Sequence, residues 1–203
     1  MTAQVFIDGE HGTTGLQIRK RLEGRSDVQP MSLAQEDRRQ VDMRREIRND
    51  ADLVILCLPD DAARDSVAMI KNPKVKVIDA STAHRVADGW IYGMPEYDGE
   101  PRGKIAEATR VRNPGCYRIA AIGLMHPLVE RGILPADFPA TINAISGYSG
   151  GGKSMIAEFE NPNEETYTEV PFRVYAMNVE HKKVPESGKW SGLLQSHHFL
   201  PTV

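Results

Sequence analysis

Short apolar runs alternate along the first half of the chain with stretches of helical spacing. Val5-Phe6-Ile7 ends at Asp8, and Leu16, Arg19 and Leu22 then begin a helix. A second strand is expected near residues 28–33. Residues 51–58 (Ala-Asp-Leu-Val-Ile-Leu-Cys-Leu) form a continuous apolar run, the pattern of a strand buried on both faces of a parallel sheet. Pro59-Asp60-Asp61 ends that run and caps a helix to about Ile70. Residues 75–79 predict another buried strand, leading into Ser81-Thr82-Ala83-His84-Arg85. Strand and helix in strict succession predict an α/β fold, a Rossmann-type doubly wound parallel sheet with right-handed crossovers.

The second half reads differently. Residues 92–96 are loop, and residues 105–111 lead to a tight turn at Asn113-Pro114-Gly115. Apolar Ile119, Ile122, Met125 and Val129 predict a helix over 116–131, closed by Gly132 and Pro135. Alternation over 140–145 starts a second sheet, 172–179 is strand-like, 181–186 is a polar turn, and 199–203 is extended and apolar with no closing helix. The expected domains are 1–115 and 116–203, the second lacking its C-terminal part.

Chemistry attaches to four places on this plan. Gly9-Glu10-His11-Gly12-Thr13-Thr14-Gly15 lies between the first strand and first helix, where a dinucleotide-binding turn belongs. Its glycines permit a sharp turn and close backbone approach, and the helix N-terminus holds the pyrophosphate. The spacing is G-x-x-G-x-x-G, and a plain glycine-rich turn is the alternative. At the end of the second strand, where an Asp or Glu would meet a free ribose 2′-hydroxyl, stand Met31 and Ser32, followed by Arg38 and Arg39. A hydroxyl and arginines suit a 2′-phosphate, so NADP is expected rather than NAD. Arg38, Arg39, Arg44 and Arg45 also fit a solvated helix face.

Cys116 sits where the turn becomes a helix, so unpaired N–H groups and the helix dipole favour its thiolate, a nucleophile. A buried small hydrophobe is the alternative, and Cys57, inside an apolar run, is expected to be inert core. Gly147-Tyr-Ser-Gly-Gly-Gly152-Lys153-Ser154 matches the P-loop pattern. No later apolar strand ends in the Asp that a P-loop enzyme uses for Mg²⁺. The loop is read instead as an anion nest in which Lys153 assists backbone N–H groups, with a nucleotide hydrolase as the alternative. His181 is a candidate acid/base. Glu96 could orient a base or be an ordinary surface acid. His197 and His198 have no further ligand at useful spacing, so no metal site is expected.

Composition narrows the class. The 203 residues carry a net charge of −3, which implies no nucleic-acid or anionic-membrane affinity. No apolar run approaches spanning length. Two distant cysteines without an export signal point to a reducing cytoplasm.

Together these motifs resemble the short bacterial N-acetyl-γ-glutamyl-phosphate reductases, relatives of aspartate-semialdehyde dehydrogenase. The resemblance rests on Asp8–Gly15, Cys57-Leu-Pro-Asp-Asp61, Ser81–Arg85, Asn113–Tyr117, Ser146–Lys153 and His181-Lys-Lys-Val-Pro-Glu186. It implies NADP-dependent reduction of an acyl phosphate in arginine biosynthesis, with Cys116 as nucleophile and His181 as candidate base. It also implies a homo-oligomer, dimer or tetramer, with an α+β substrate and dimerisation domain. Gly9, His11, Gly12, Thr13, Thr14, Gly15, Ser32, Arg38, Ser81 and Gly150 are the expected cofactor residues. Arg85, Asn113, Ser146 and Lys153 are the expected substrate residues. Three features depart from the family pattern. Arg118-Ile119 stands where Pro-Thr is expected, Lys183 stands for a second histidine, and family chains are longer. Arg118 is expected to place a cation beside the thiol. An NADP-binding protein with little turnover is the remaining alternative.

Overall fold

A computed structural model of the chain describes residues 2–97, 101–175, 184–195 and 198–203. The chain divides into two compact units, Met1–Gly115 and Cys116–Val203.

The first unit is a six-stranded, wholly parallel sheet with helices in the crossovers. In chain order it contains β1 (Ala3–Asp8), α1 (Thr13–Leu22), β2 (Val28–Met31), α2 (Val41–Asp50), β3 (Leu53–Leu56), α3 (Asp60–Met69), β4 (Lys76–Asp79), β5 (Ile91–Tyr92), α4 (Pro101–Glu107) and β6 (Arg110–Arg112). The strand order is β2-β1-β3-β4-β6-β5. Val5, Phe6, Val54, Leu56 and Val77 are buried in the sheet, and Ala63 and Ile47 pack from the helices. These strands are β-branched and apolar because both faces are covered. The strand expected over 51–58 is shorter, Leu53–Leu56, since Ala51 closes α2 and Pro59 opens α3. Arg19, Lys20 and Arg21 in the last turn of α1, and Asp60 and Asp61 in the first turn of α3, complement the helix dipoles.

The order reverses between β1 and β3, and the crevice at their carboxyl ends is where such sheets bind ligands. A buried ion pair braces it. Asp8, the last residue of β1, accepts from Arg48 Nη2 at 2.6 Å and Nε at 2.8 Å, from Arg44 Nη2 at 3.1 Å, and from Ser66 Oγ at 2.9 Å. Burial pushes the Arg48 guanidinium down from its usual range, while Asp8 pulls it up.

The second unit contains α5 (Cys116–Glu130), β7 (Thr141–Ile145), α6 (Gly152–Glu160), α7 (Val184–Ser191) and β8 (His198–Thr202). β7 and β8 run parallel. Beyond β8, Val174 bridges antiparallel to Thr202, and Arg173 and Val203 exchange backbone bonds of 2.7 and 3.0 Å. The strand-like stretch expected from residue 172 is therefore paired in its described part. The expected polar turn is different: Val184–Glu186 is the first turn of α7, and Glu186 is buried.

Candidate active site

The glycine loop is built by exclusion of side chains. The chain leaves β1 through Gly9 at φ +91°, and the Gly12 N–H donates to the Gly9 carbonyl at 3.0 Å. A Cβ at Gly9 would lie 2.3 Å from the Cys57 carbonyl oxygen, and one at Gly15 2.3 Å from that of Gly9. Gly12 is the N-cap of α1 and Thr13 its first residue, so the helix start faces the loop. A cavity of about 300 Å³ opens there, lined by residues 8–12, Leu33, Arg38, Arg44 and Leu58. Tight glycines, a helix start and two arginines beside two leucines fit the phosphates and adenosine of a dinucleotide.

The end of β2 holds a surprise. The sequence places no acid there, yet Glu10 reaches it from the loop. Its buried carboxylate accepts from Ser32 Oγ at 2.9 Å and from Arg19, and lies 3.3 Å from His11 Nε2. Arg19 Nη1 also donates to Ser32 Oγ at 2.6 Å. Arg38 Nε donates to the Leu33 carbonyl at 3.3 Å, while Arg39 and Arg45 are exposed.

The Ser81–Arg85 segment is held rather than open. Asp79 accepts from the Ser81 N–H and Oγ, both at 2.8 Å, and lies 2.6 Å from His84 Nδ1. The His84 ring stacks on Trp90 at 4.3 Å. Ser81 Oγ accepts from the Ala83 N–H, and Arg85 Nη2 donates to the Ala80 carbonyl at 3.2 Å. Thr82 bonds Asp60 through both its N–H and its hydroxyl. Glu96 is exposed. Cys57 is inert as expected: burial, with Asp8 and Asp79 nearby, pushes its thiol up to about 11.

In the second unit Cys116 is exposed and is the first residue of α5, following the exposed Asn113 and buried Pro114-Gly115. Tyr117 turns inward. Its hydroxyl lies 2.6 Å from Ser146 Oγ and accepts from the Tyr175 hydroxyl at 3.3 Å. Tyr175 is raised well above the ordinary tyrosine range by burial, then by Tyr117, and lastly by the nearby Cys116. Tyr117, Tyr175 and Ser146 thus join the Cys116 turn to the glycine loop after β7, and the two tyrosines were not among the expected residues. Nothing local marks them, because the bonds span 58 and 29 positions.

Arg118, expected beside the thiol, is fully buried with its guanidinium 4.0 Å over the Phe199 ring, whereas Cys116 is exposed. Residues i and i+2 of a helix point to opposite sides. The P-loop match also takes an unexpected shape. Tyr148–Gly151 is a 3₁₀ turn, and the Gly150 N–H already donates to the Gly147 carbonyl at 3.1 Å. Tyr148 stacks on Phe159 at 4.9 Å, and Lys153 is exposed in the first turn of α6. A P-loop instead wraps phosphates with free N–H groups. His181, Lys183 and His197 lie outside the described residues. Among the described residues no group of three or more His, Cys, Asp or Glu could hold a metal. No described helix is long and apolar enough to cross a membrane.

Residues 4–105, with the glycine loop, match the model of the semialdehyde dehydrogenase NAD binding domain, and residues 116–203, with Cys116, match that of its dimerisation domain. The chain belongs to the semialdehyde dehydrogenase family. Similar curated relatives are N-acetyl-gamma-glutamyl-phosphate reductase 2 of Pseudomonas putida (50% identity over 98% of this chain and 63% of the relative) and the N-acetyl-gamma-glutamyl-phosphate reductase of Chelativorans sp. (51% over 100% and 64%). The chain therefore spans just under two thirds of the length of these relatives. Among solved structures, aspartate semialdehyde dehydrogenase from Francisella tularensis superposes with a TM-score of 0.67 at 11% identity, over 99% of this chain and 72% of that one. Aspartate semialdehyde dehydrogenase II of Vibrio cholerae gives 0.62 at 16%, over 100% and 70%. At such identities these two share the fold.

Proposed function

We propose that this chain reduces an acyl phosphate, N-acetyl-γ-glutamyl phosphate, to its semialdehyde in arginine biosynthesis, using NADPH and Cys116. The observation that carries the reading is an exposed thiol at the first residue of α5, in a chain half identical to named reductases. The Cys116 thiolate attacks the acyl carbon, the C–O bond to phosphate breaks, and inorganic phosphate leaves a thioester on Cys116. The dinucleotide, when bound, supplies hydride to that carbonyl. The resulting thiohemiacetal collapses to aldehyde and free thiol, and the α5 N-terminus offers N–H donors to the developing oxyanion. Gly9, His11, Gly12, Thr13, Thr14 and Gly15 would hold the cofactor, with Ser32 and Arg38 at the adenosine end. Ser81 and Gly150 are proposed to complete its binding. Arg85, Asn113, Ser146 and Lys153 are proposed for the anionic groups of the substrate, and His181 for proton transfer.

In this reading residues 1–115 are the NADP domain and 116–203 the catalytic part of a homo-oligomeric cytoplasmic enzyme. The test is oxidation of N-acetylglutamate 5-semialdehyde, followed as NADPH formation. Activity that requires both NADP⁺ and inorganic phosphate supports the proposal; activity indifferent to phosphate contradicts it.

A further inference from the structure

The Glu10–Arg19–Ser32 cluster is wider than the residues a dinucleotide turn requires. Glu10 belongs to the loop, Arg19 to the last turn of α1, and Ser32 is the residue after β2. One oxygen of Glu10 holds the other two together, accepting from Arg19 and from Ser32 Oγ at 2.9 Å. Arg19 Nη1 closes the triangle on Ser32 at 2.6 Å. The Glu10 side chain is 8% exposed and the Arg19 side chain 40%. Glu10 is thus enclosed while Arg19 faces solvent.

Glu10 lines the adenosine cavity together with His11, Leu33 and Arg38. Ser32 stands where a Rossmann sheet meets the ribose 2′ substituent. Among the described residues Arg19 bonds through Nη1 alone, which leaves Nε and Nη2 as donors for a ligand. A guanidinium presents these in a fixed fork that matches phosphate. Arg38 Nε is committed to the Leu33 carbonyl at 3.3 Å.

We infer that Arg19, held against Ser32 by Glu10, is the residue that reads the 2′-phosphate of NADPH and so sets its choice over NADH. The inference rests on the nicotinamide-dependent reading above and adds a specificity residue to it. A 2′-phosphate gains charge-assisted bonds from Arg19. A bare 2′-hydroxyl gains little, because the Glu10 oxygen that an NAD site would offer is already doubly bonded. The clamp keeps Arg19 in register, so Glu10 is a positioning residue.

Equilibrium binding to the purified chain tests this, with NADPH, NADH, 2′,5′-ADP and 5′-AMP as titrants. Arg19→Gln is expected to weaken NADPH and 2′,5′-ADP by about ten-fold or more, the scale of a lost charge-assisted contact. NADH and 5′-AMP should stay within about two-fold by the same reasoning. Arg19→Lys should recover part of the loss, because it keeps the charge without the fork. Arg64→Gln, on the exposed face of α3, should change nothing. Equal losses for NADPH and NADH in Arg19→Gln, in a chain with an unchanged circular dichroism melt, would overturn the Arg19 assignment and leave the reductase proposal standing. An unchanged NADPH affinity would overturn it too. A parent chain that binds neither dinucleotide would overturn both.

Discussion

The two cysteines show how position in a fold sets chemistry. Cys57 follows a buried strand, and its thiol is pushed up to about 11 by burial and by Asp8 and Asp79. At pH 8 only about one in a thousand such thiols is ionised. Cys116 is exposed. Iodoacetamide at pH 8 should therefore label Cys116 and spare Cys57 in the folded chain, as peptide mass mapping would show. Because Cys57 titrates higher folded than unfolded, its contribution to stability is complete below about pH 9 and falls away toward pH 11. Asp8 and Arg48 are a second case. Asp8→Asn would leave the Arg48 guanidinium buried against a neutral partner. That should cost about 3–5 kcal/mol in urea unfolding, and Arg48→Met in the same chain should return part of it. The sequence showed Asp8 as a strand end and did not show Arg48, because a charge 40 positions away declares nothing until the helix is packed.

At the scale of elements, what was legible was what local chemistry controls. The glycine loop, the parallel strands and the cysteine helix each carry their own turn residues and period. The limits of β3 were less so, because tertiary pairing rather than apolar length ends a strand. The P-loop match, set aside in the sequence for want of a Mg²⁺-binding Asp, meets a related limit: a residue pattern does not fix N–H directions, and Gly150 spends its N–H on Gly147. The chain should show no Mg-ATP binding by calorimetry. The glycines of the first loop differ in what they exclude. Gly15→Ala would set a Cβ against backbone at 2.3 Å, whereas at Gly12 the nearest atom is 3.4 Å away. Gly15→Ala should weaken NADPH binding by about ten-fold or more through a displaced loop. Gly12→Ala should fall well short of that, and fluorescence titration ranks the two.

At the scale of the whole molecule, the strand order puts the switch point between β1 and β3, and the glycine loop and Leu58 follow from it. The second unit was harder to read. Its candidate site joins Tyr117, Ser146 and Tyr175 across three segments, and the expected base, His181, lies outside the described residues. The proposed assembly predicts a mass in light scattering of at least twice the 22.6 kDa chain. The central claim, a thioester on Cys116, has a direct measurement. The chain is mixed with NADP⁺ and N-acetylglutamate 5-semialdehyde in the absence of phosphate, quenched in acid and mapped by mass spectrometry. The expected result is a stoichiometric burst of NADPH with the N-acetylglutamyl group on the Cys116 peptide, both lost in Cys116→Ser. NADPH formation at the parent rate by Cys116→Ser, or an acyl group found elsewhere, would contradict it.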